Sequence, residues 1–339
     1  MKKIGVLGAG TWGSALARML SNSGNDVVVW SALPQEIDLL TETRVHPNLP
    51  YMDIPESLAY TKDLETACTG KDIILFAVPS VFVRATAANA RPFIPDGQII
   101  ADVAKGMEAG TLFTMTEVIR DELIRDGKHN HVKYVALSGP THAEEVARDL
   151  PTTIVSACHD LSAAEYVQSV FSTKCMRVYT NMDTHGVELC GALKNVMALA
   201  AGIAVGLGYG DNAKAALITR GITEIARLGT AMGSNERTFY GLAGVGDLIV
   251  TATSMHSRNN RAGMLIGKGY TADEAIKEVG MVVEGINALP AAMELSQRYN
   301  VEMPLTEATN RIIRGGEDPA TVVGELMARG QKIEYTGTI

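Results

Sequence analysis

The sequence predicts an α/β domain with a doubly wound, mainly parallel sheet over residues 1–180, followed by an all-α domain over residues 181–339. Three observations carry this. Short apolar runs alternate with amphipathic helical runs as far as about Thr180, the signature of strands joined by covering helices. Beyond that point strand-like runs largely stop and helical ones continue. Finally, 339 residues exceed what one ordinary core encloses.

The first run, Lys3 to Leu7, is a short apolar strand that leads directly into Gly8-Ala-Gly10-Thr11-Trp12-Gly13, and Ser14 to Ser21 continues with helical periodicity. Strand, glycine turn and helix are the context a dinucleotide fingerprint requires. Gly8 permits the tight turn, Gly10 lets backbone approach a pyrophosphate, and Gly13 allows the helix to pack closely on the strand. The N-H groups at the start of the helix are then free to meet the anion. A second strand, Asp26 to Trp30, completes this Rossmann-like unit. Its end normally selects the cofactor, an acid binding the ribose hydroxyls of NAD and an arginine the extra phosphate of NADP. Here Trp30-Ser31-Ala32-Leu33-Pro34 offers neither. Glu36 and Arg44 could contribute only from the next helix, so the choice between NAD and NADP stays open.

Further strands are predicted at 72–78, 98–103, 133–137, 153–157 and 176–179. Helices are expected at 80–90, 111–125, 143–148 and 163–171. Ligands gather at the carboxyl ends of such strands, and three loops there carry suitable groups. Ala77-Val78-Pro79-Ser80 could line the nicotinamide half, Ala104-Lys105-Gly106 brings a cation, and Ser138-Gly139-Pro140-Thr141-His142-Ala143 offers hydroxyls and N-H groups.

The helical half opens on Glu188 to Gly202, where Leu189, Leu193, Met197, Ala200 and Ala201 recur at helical spacing. Lys194 and Asn195 sit in its middle. A lysine there either snorkels outward or loses hydration, which lowers its pKa toward a range useful for proton transfer. Later come an acid among glycines, Gly244-Val-Gly246-Asp247, and the donor-rich run Ser257-Arg258-Asn259-Asn260-Arg261. Arginine suits phosphate because its guanidinium can bond two oxygens at once.

Composition excludes several classes. A formal net charge of -8 argues against general nucleic-acid binding and requires that an anionic substrate meet cations focused in a cleft. The stretch 187–207 is apolar but contains Lys194 and Asn195 without flanking basic clusters, and is not read as a membrane span. No secretory signal precedes the first strand, so a cytoplasmic protein is expected. The four cysteines, 68, 158, 175 and 190, form no CxxC pair, and no histidine spacing suggests a metal.

Taken together these motifs resemble the NAD(P)-dependent glycerol-3-phosphate dehydrogenases of the bacterial type along nearly the whole chain. The marks are Gly8-x-Gly10-Thr11-Trp12-Gly13, Ala104-Lys105-Gly106, Ser138-Gly139-Pro140-Thr141, Leu193-Lys194-Asn195, Gly244-x-Gly246-Asp247, Ser257-Arg258-Asn259 and Val283-Glu284-Gly285. The resemblance implies interconversion of sn-glycerol 3-phosphate and dihydroxyacetone phosphate, with Lys194 as proton acceptor. By the same resemblance Lys105, Gly139, Thr141, Asp247, Ser257, Arg258 and Asn259 line the substrate with Lys194. Thr11, Trp12, Lys105, Ala143, Arg258, Val282 and Glu284 match positions that touch the cofactor. It also implies a homodimer supplying glycerol phosphate for lipid synthesis. Bacterial members often carry a basic residue just after the second strand. Ser31-Ala32 stands there instead, which puts the usual NADPH preference in doubt. A β-hydroxyacid or ketopantoate dehydrogenase, a non-enzymatic dinucleotide sensor and a nucleotide-sugar dehydrogenase are the alternatives the sequence leaves open.

Overall fold

The computed structural model describes residues 1–331 and 333–334. Eight strands form one sheet: β1 (Lys3–Leu7), β2 (Asp26–Trp30), β3 (Ala59–Thr61), β4 (Ile73–Phe76), β5 (Ile99–Asp102), β6 (Lys133–Ser138), β7 (Thr152–Ala157) and β8 (Met176–Asn181). Their order across the sheet is β3-β2-β1-β4-β5-β6-β7-β8. The order reverses at β1, so a crevice opens between the loops that follow β1 and β4. β1, β4 and β5 are buried almost throughout, as strands covered on both faces must be. Packing on one face centres on Leu16, Leu20, Val135 and Phe171, and on the other on Phe76, Val83, Ile119 and Leu123.

Two features depart from the sequence reading. Ala59–Thr61 is an edge strand pairing in parallel with β2; with one exposed and two part-exposed residues it has no apolar alternation to reveal it. The helix expected at 111–125 begins only at Met115. Leu112 has a left-handed backbone, φ 62°, Met107 and Thr114 form an isolated antiparallel bridge, and the Thr114 N-H is held by the Glu117 carboxylate at 2.8 Å. These contacts delay the first turn.

The sheet is parallel except at one seam, where β6 and β7 pair antiparallel. β7 and β8 pair parallel with each other, so both run against the other six. The seam matters for the site. Asn181 pairs with Ala157, which in turn lies opposite Ala136 of β6. The helix Thr184–Gly206 therefore starts level with the middle of β6 and climbs to the carboxyl edge, where Gly191 abuts Ser138 and Lys105. Asp183 caps its start, accepting from the Gly186 N-H at 2.9 Å.

All regular structure described after Asp183 is helical. The helix Thr184–Gly206 is long and apolar enough to cross a membrane, but 83% of its most apolar stretch is buried inside the protein. It is the central core helix, packed by Asp211–Ala231, Asp247–Thr253, Arg258–Gly267 and Glu284–Arg298.

Candidate active site

Lys194 lies eleven residues into the central helix and is 5% exposed. Its ammonium donates to Asp247 Oδ1 and to Thr251 Oγ1 at 2.6 Å. Burial pulls its pKa down to about 7; the Asp247 carboxylate opposes that shift and the neighbouring Lys105 charge adds to it. Asp247 is itself 1% exposed, and its other oxygen accepts from Lys105 Nζ at 2.7 Å. One buried carboxylate thus holds two lysines, one from each half of the chain. Lys105 also donates to the Gly139 carbonyl at 3.0 Å and more distantly to Thr141 Oγ1 at 3.4 Å.

Asp247 reaches this place through an unusual backbone. Leu242–Gly246 forms a single wide helical turn with i→i+5 bonding, which passes into the helix Asp247–Thr253. Such turns recur at functional sites. Gly244 is required there, because a Cβ would overlap the Phe239 carbonyl. Thr251 follows Asp247 by four residues, hence one turn along the same face.

A cleft of about 640 Å³ runs from the glycine turn to this cluster. Gly10, Thr11 and Trp12 line one end, Lys105, Thr141 and Lys194 the middle, and Ser257, Arg258 and Asn259 the far wall. Ala143, Val282 and Glu284 also face it. Gly8, Gly13, Gly139 and Asp247 do not line it but support residues that do. Gly8 has φ 127° and fits against Ala77, while a Cβ on Gly13 would overlap the Gly8 carbonyl. A Cβ on Gly10 would meet nothing within 4 Å. The cradle therefore keeps open the space that a pyrophosphate needs beside the first turn of Thr11–Asn22. These residues fit a dinucleotide.

The far wall is held by paired amides. Asn195 Oδ1 accepts from Asn259 Nδ2 at 2.9 Å, and Asn259 Oδ1 accepts from the Gly285 N-H at 2.8 Å. Ser257 caps the helix Arg258–Gly267, accepting from the Asn260 N-H at 3.2 Å. Arg258 is half-buried and makes no ion pair among the described residues, so its guanidinium is available to an anion. Glu284 accepts from Ser80 Oγ at 2.6 Å and from the Ser80 N-H at 3.2 Å. That clasp joins the loop after β4 to the helical half.

The sequence reading lacks Thr251 as a contributor and, for Ser80, its partner. The i+4 spacing of Thr251 from Asp247 could have flagged the first, and Ser80 in the Pro79-Ser80 loop had no local signal for its partner 204 residues away.

A dinucleotide cradle facing a desolvated, ion-paired lysine across one cleft defines a nicotinamide-dependent oxidoreductase. Two family models match: NAD-dependent glycerol-3-phosphate dehydrogenase N-terminus over residues 3–164, and NAD-dependent glycerol-3-phosphate dehydrogenase C-terminus over residues 183–324. The chain belongs to the NAD-dependent glycerol-3-phosphate dehydrogenase family. It is 67% identical to glycerol-3-phosphate dehydrogenase (NAD(P)+) 2 of Lactobacillus delbrueckii subsp. bulgaricus, over 99% of this chain and 100% of the relative. It is 49% identical to the Bacillus subtilis glycerol-3-phosphate dehydrogenase (NAD(P)+), over 98% and 96%. The crystal structure of glycerol-3-phosphate dehydrogenase from Coxiella burnetii superposes with a TM-score of 0.91 at 38% identity, covering 97% of this chain and 99% of that one. A ketopantoate reductase from Ralstonia eutropha shares the fold alone, at 15% identity and a TM-score of 0.62.

Proposed function

We propose that residues 1–180 hold NAD(P) and residues 181–339 supply the chemistry that interconverts dihydroxyacetone phosphate and sn-glycerol 3-phosphate, with Lys194 as the acid and base. The observation that carries this reading is the desolvated Lys194 ammonium at the cleft, with a pKa near 7 and its Nζ held by Asp247 and Thr251.

When bound, the nicotinamide supplies the hydride for the C2 carbonyl carbon. Lys194, as ammonium, gives its proton to the C2 oxygen as negative charge develops there. Asp247 and Thr251 hold Nζ in place for that transfer. In oxidation the neutral amine removes the C2 hydroxyl proton. Lys105, tethered to the other oxygen of Asp247, adds positive potential beside the same oxygen. Arg258 binds the phosphate, remote from the reacting carbon, and so orients the substrate. Ser257 and Asn259 support it by organising the start of its helix and the wall behind it. The two lysines and Arg258 offset the acidic background of the chain.

A cytoplasmic homodimer supplying glycerol phosphate for phospholipid synthesis completes the proposal; a monomer in sedimentation equilibrium would refute the dimer. The deciding assay follows NADH and NADPH oxidation with dihydroxyacetone phosphate and with carboxylated ketones of similar size. Turnover confined to the phosphorylated ketone is expected, and turnover confined to the carboxylated ones would overturn the substrate assignment.

A further inference from the structure

The strand end that leaves the cofactor choice open in the sequence is joined in the fold by Glu36. β2 ends at Trp30, whose carbonyl accepts from the Gly8 N-H at 2.8 Å, so this strand end adjoins the glycine turn. Ser31 follows and is buried. Its hydroxyl donates to Glu36 Oε2 at 2.6 Å and accepts from the Leu33 N-H at 3.1 Å. This short turn folds the first part of the helix Pro34–Thr43 back over the strand end. Glu36, five residues beyond Ser31, thereby occupies the place where an acid usually follows the strand directly. Its side chain is half-buried and lines the cleft.

The surroundings give the carboxylate its selectivity. Beyond the glycine turn this end of the cleft is lined by Glu36, Leu39, Leu40, His46, Pro47 and Asn48. Burial lowers the pKa of His46 against the opposing pull of the Ala9 carbonyl and the Glu36 carboxylate, and its Nδ1 accepts from the Asn48 N-H at 3.2 Å, so its ring is neutral near pH 7. Glu36 is then the charged side chain among these six. The nearby cations are engaged elsewhere. Arg44 donates to the Leu58 carbonyl at 2.6 Å and lies over the Tyr60 ring at 5.4 Å, while Lys62 pairs with Asp38 at 2.5 Å. Neither lines the cleft.

We infer that Glu36, presented by Ser31, selects NAD(H) over NADP(H) in this chain by binding the adenine-ribose hydroxyls. Glu36 Oε1 accepts no hydrogen bond from the described residues and is free to accept from a ribose hydroxyl, a charge-assisted bond. A 2′-phosphate removes that donor and brings a second negative group against the carboxylate, while Arg44, at the C-terminal end of the same helix, is held at the Leu58 carbonyl. The inference rests on the reading of this cleft as a dinucleotide site and adds the specificity of that site.

The test titrates the full-length protein calorimetrically with ADP-ribose and with 2′-phospho-ADP-ribose, so it needs no substrate or turnover. The wild type should bind ADP-ribose at least about tenfold more tightly, the ratio that 1.4 kcal/mol sets. Glu36→Gln should narrow that ratio by strengthening the phosphorylated probe. Ala32→Arg, an exposed position that leaves Ser31 and Glu36 in place, should narrow it too. Equal wild-type affinities, a preference for the phosphorylated probe, or a ratio unmoved by either variant would overturn the inference. Binding of neither probe would overturn the dinucleotide reading itself, and the inference with it.

Discussion

The two halves of the cleft use glycine in opposite ways. In the sheet half Gly10 leaves a space empty for a ligand, with nothing within 4 Å of where a Cβ would stand. In the helical half Gly202 and Gly206 of the central helix meet Gly263 and Gly267 of the Arg258 helix. There each missing Cβ is replaced by the neighbour's backbone, including the Leu199, Ile203, Asn260 and Met264 carbonyls. The first arrangement makes a binding surface from main chain. The second lets two helices approach closely enough that Asn259 bonds Asn195 and Arg258 lines the same cleft as Lys194. The glycine cradle is thus shaped by local backbone, whereas the cluster around Lys194 is assembled by packing between helices remote in sequence.

The sharpest break of that comparison is Lys194→Ala. It should cut turnover by about 10²- to 10⁴-fold while ADP-ribose binding in the sheet half stays unchanged; normal turnover would remove Lys194 from the chemistry. The pH dependence tests the same group. Below about 7 Lys194 is an ammonium and above it a neutral amine. Dihydroxyacetone phosphate reduction should therefore decline as pH rises through about 7, and glycerol phosphate oxidation should decline as pH falls through it. Profiles of kcat recorded in both directions check that opposite dependence, and Lys194→Ala should abolish it.

Arg258→Ala comes next. Loss of a charged phosphate contact of about 1.5–3 kcal/mol should raise KM for dihydroxyacetone phosphate roughly tenfold to a hundredfold. An unchanged KM counts against the phosphate role. The smallest effects concern the glycines. Gly263→Ala places a methyl group against the Leu199 carbonyl and should cost about 1–3 kcal/mol of stability. Gly10→Ala should alter stability by less than about 0.5 kcal/mol yet weaken dinucleotide binding. Denaturant melts and dinucleotide titrations on both variants would measure the contrast, and equal stability losses would erase it.

The legibility of the site follows the same division. Gly8, Gly10 and Gly13 could be read because strand, turn and helix are contiguous, and their geometry depends on neighbours in the chain. Lys194 is legible as a cation in an apolar run and Arg258 as part of a donor-rich run, but not their relation to each other. Lys105 and Asp247 stand 142 residues apart and meet at one carboxylate. Glu36 is a harder case: the sequence places it on the next helix, because the Ser31 turn that returns it to the strand end has no distinctive composition.

The sequence by itself determined the α/β-then-α order, the cofactor cradle and the chemical types in the cleft, since periodicity, glycine turns and charged residues in apolar runs are properties of short segments. Tertiary structure alone decided which carboxylate holds Lys194, which acid reaches the end of β2, and how the central helix arrives at the carboxyl edge. That last point turns on the antiparallel seam between β6 and β7. Either direction of β7 satisfies the same apolar pattern, because burial of a strand does not depend on its polarity, so the pattern by itself does not choose between them.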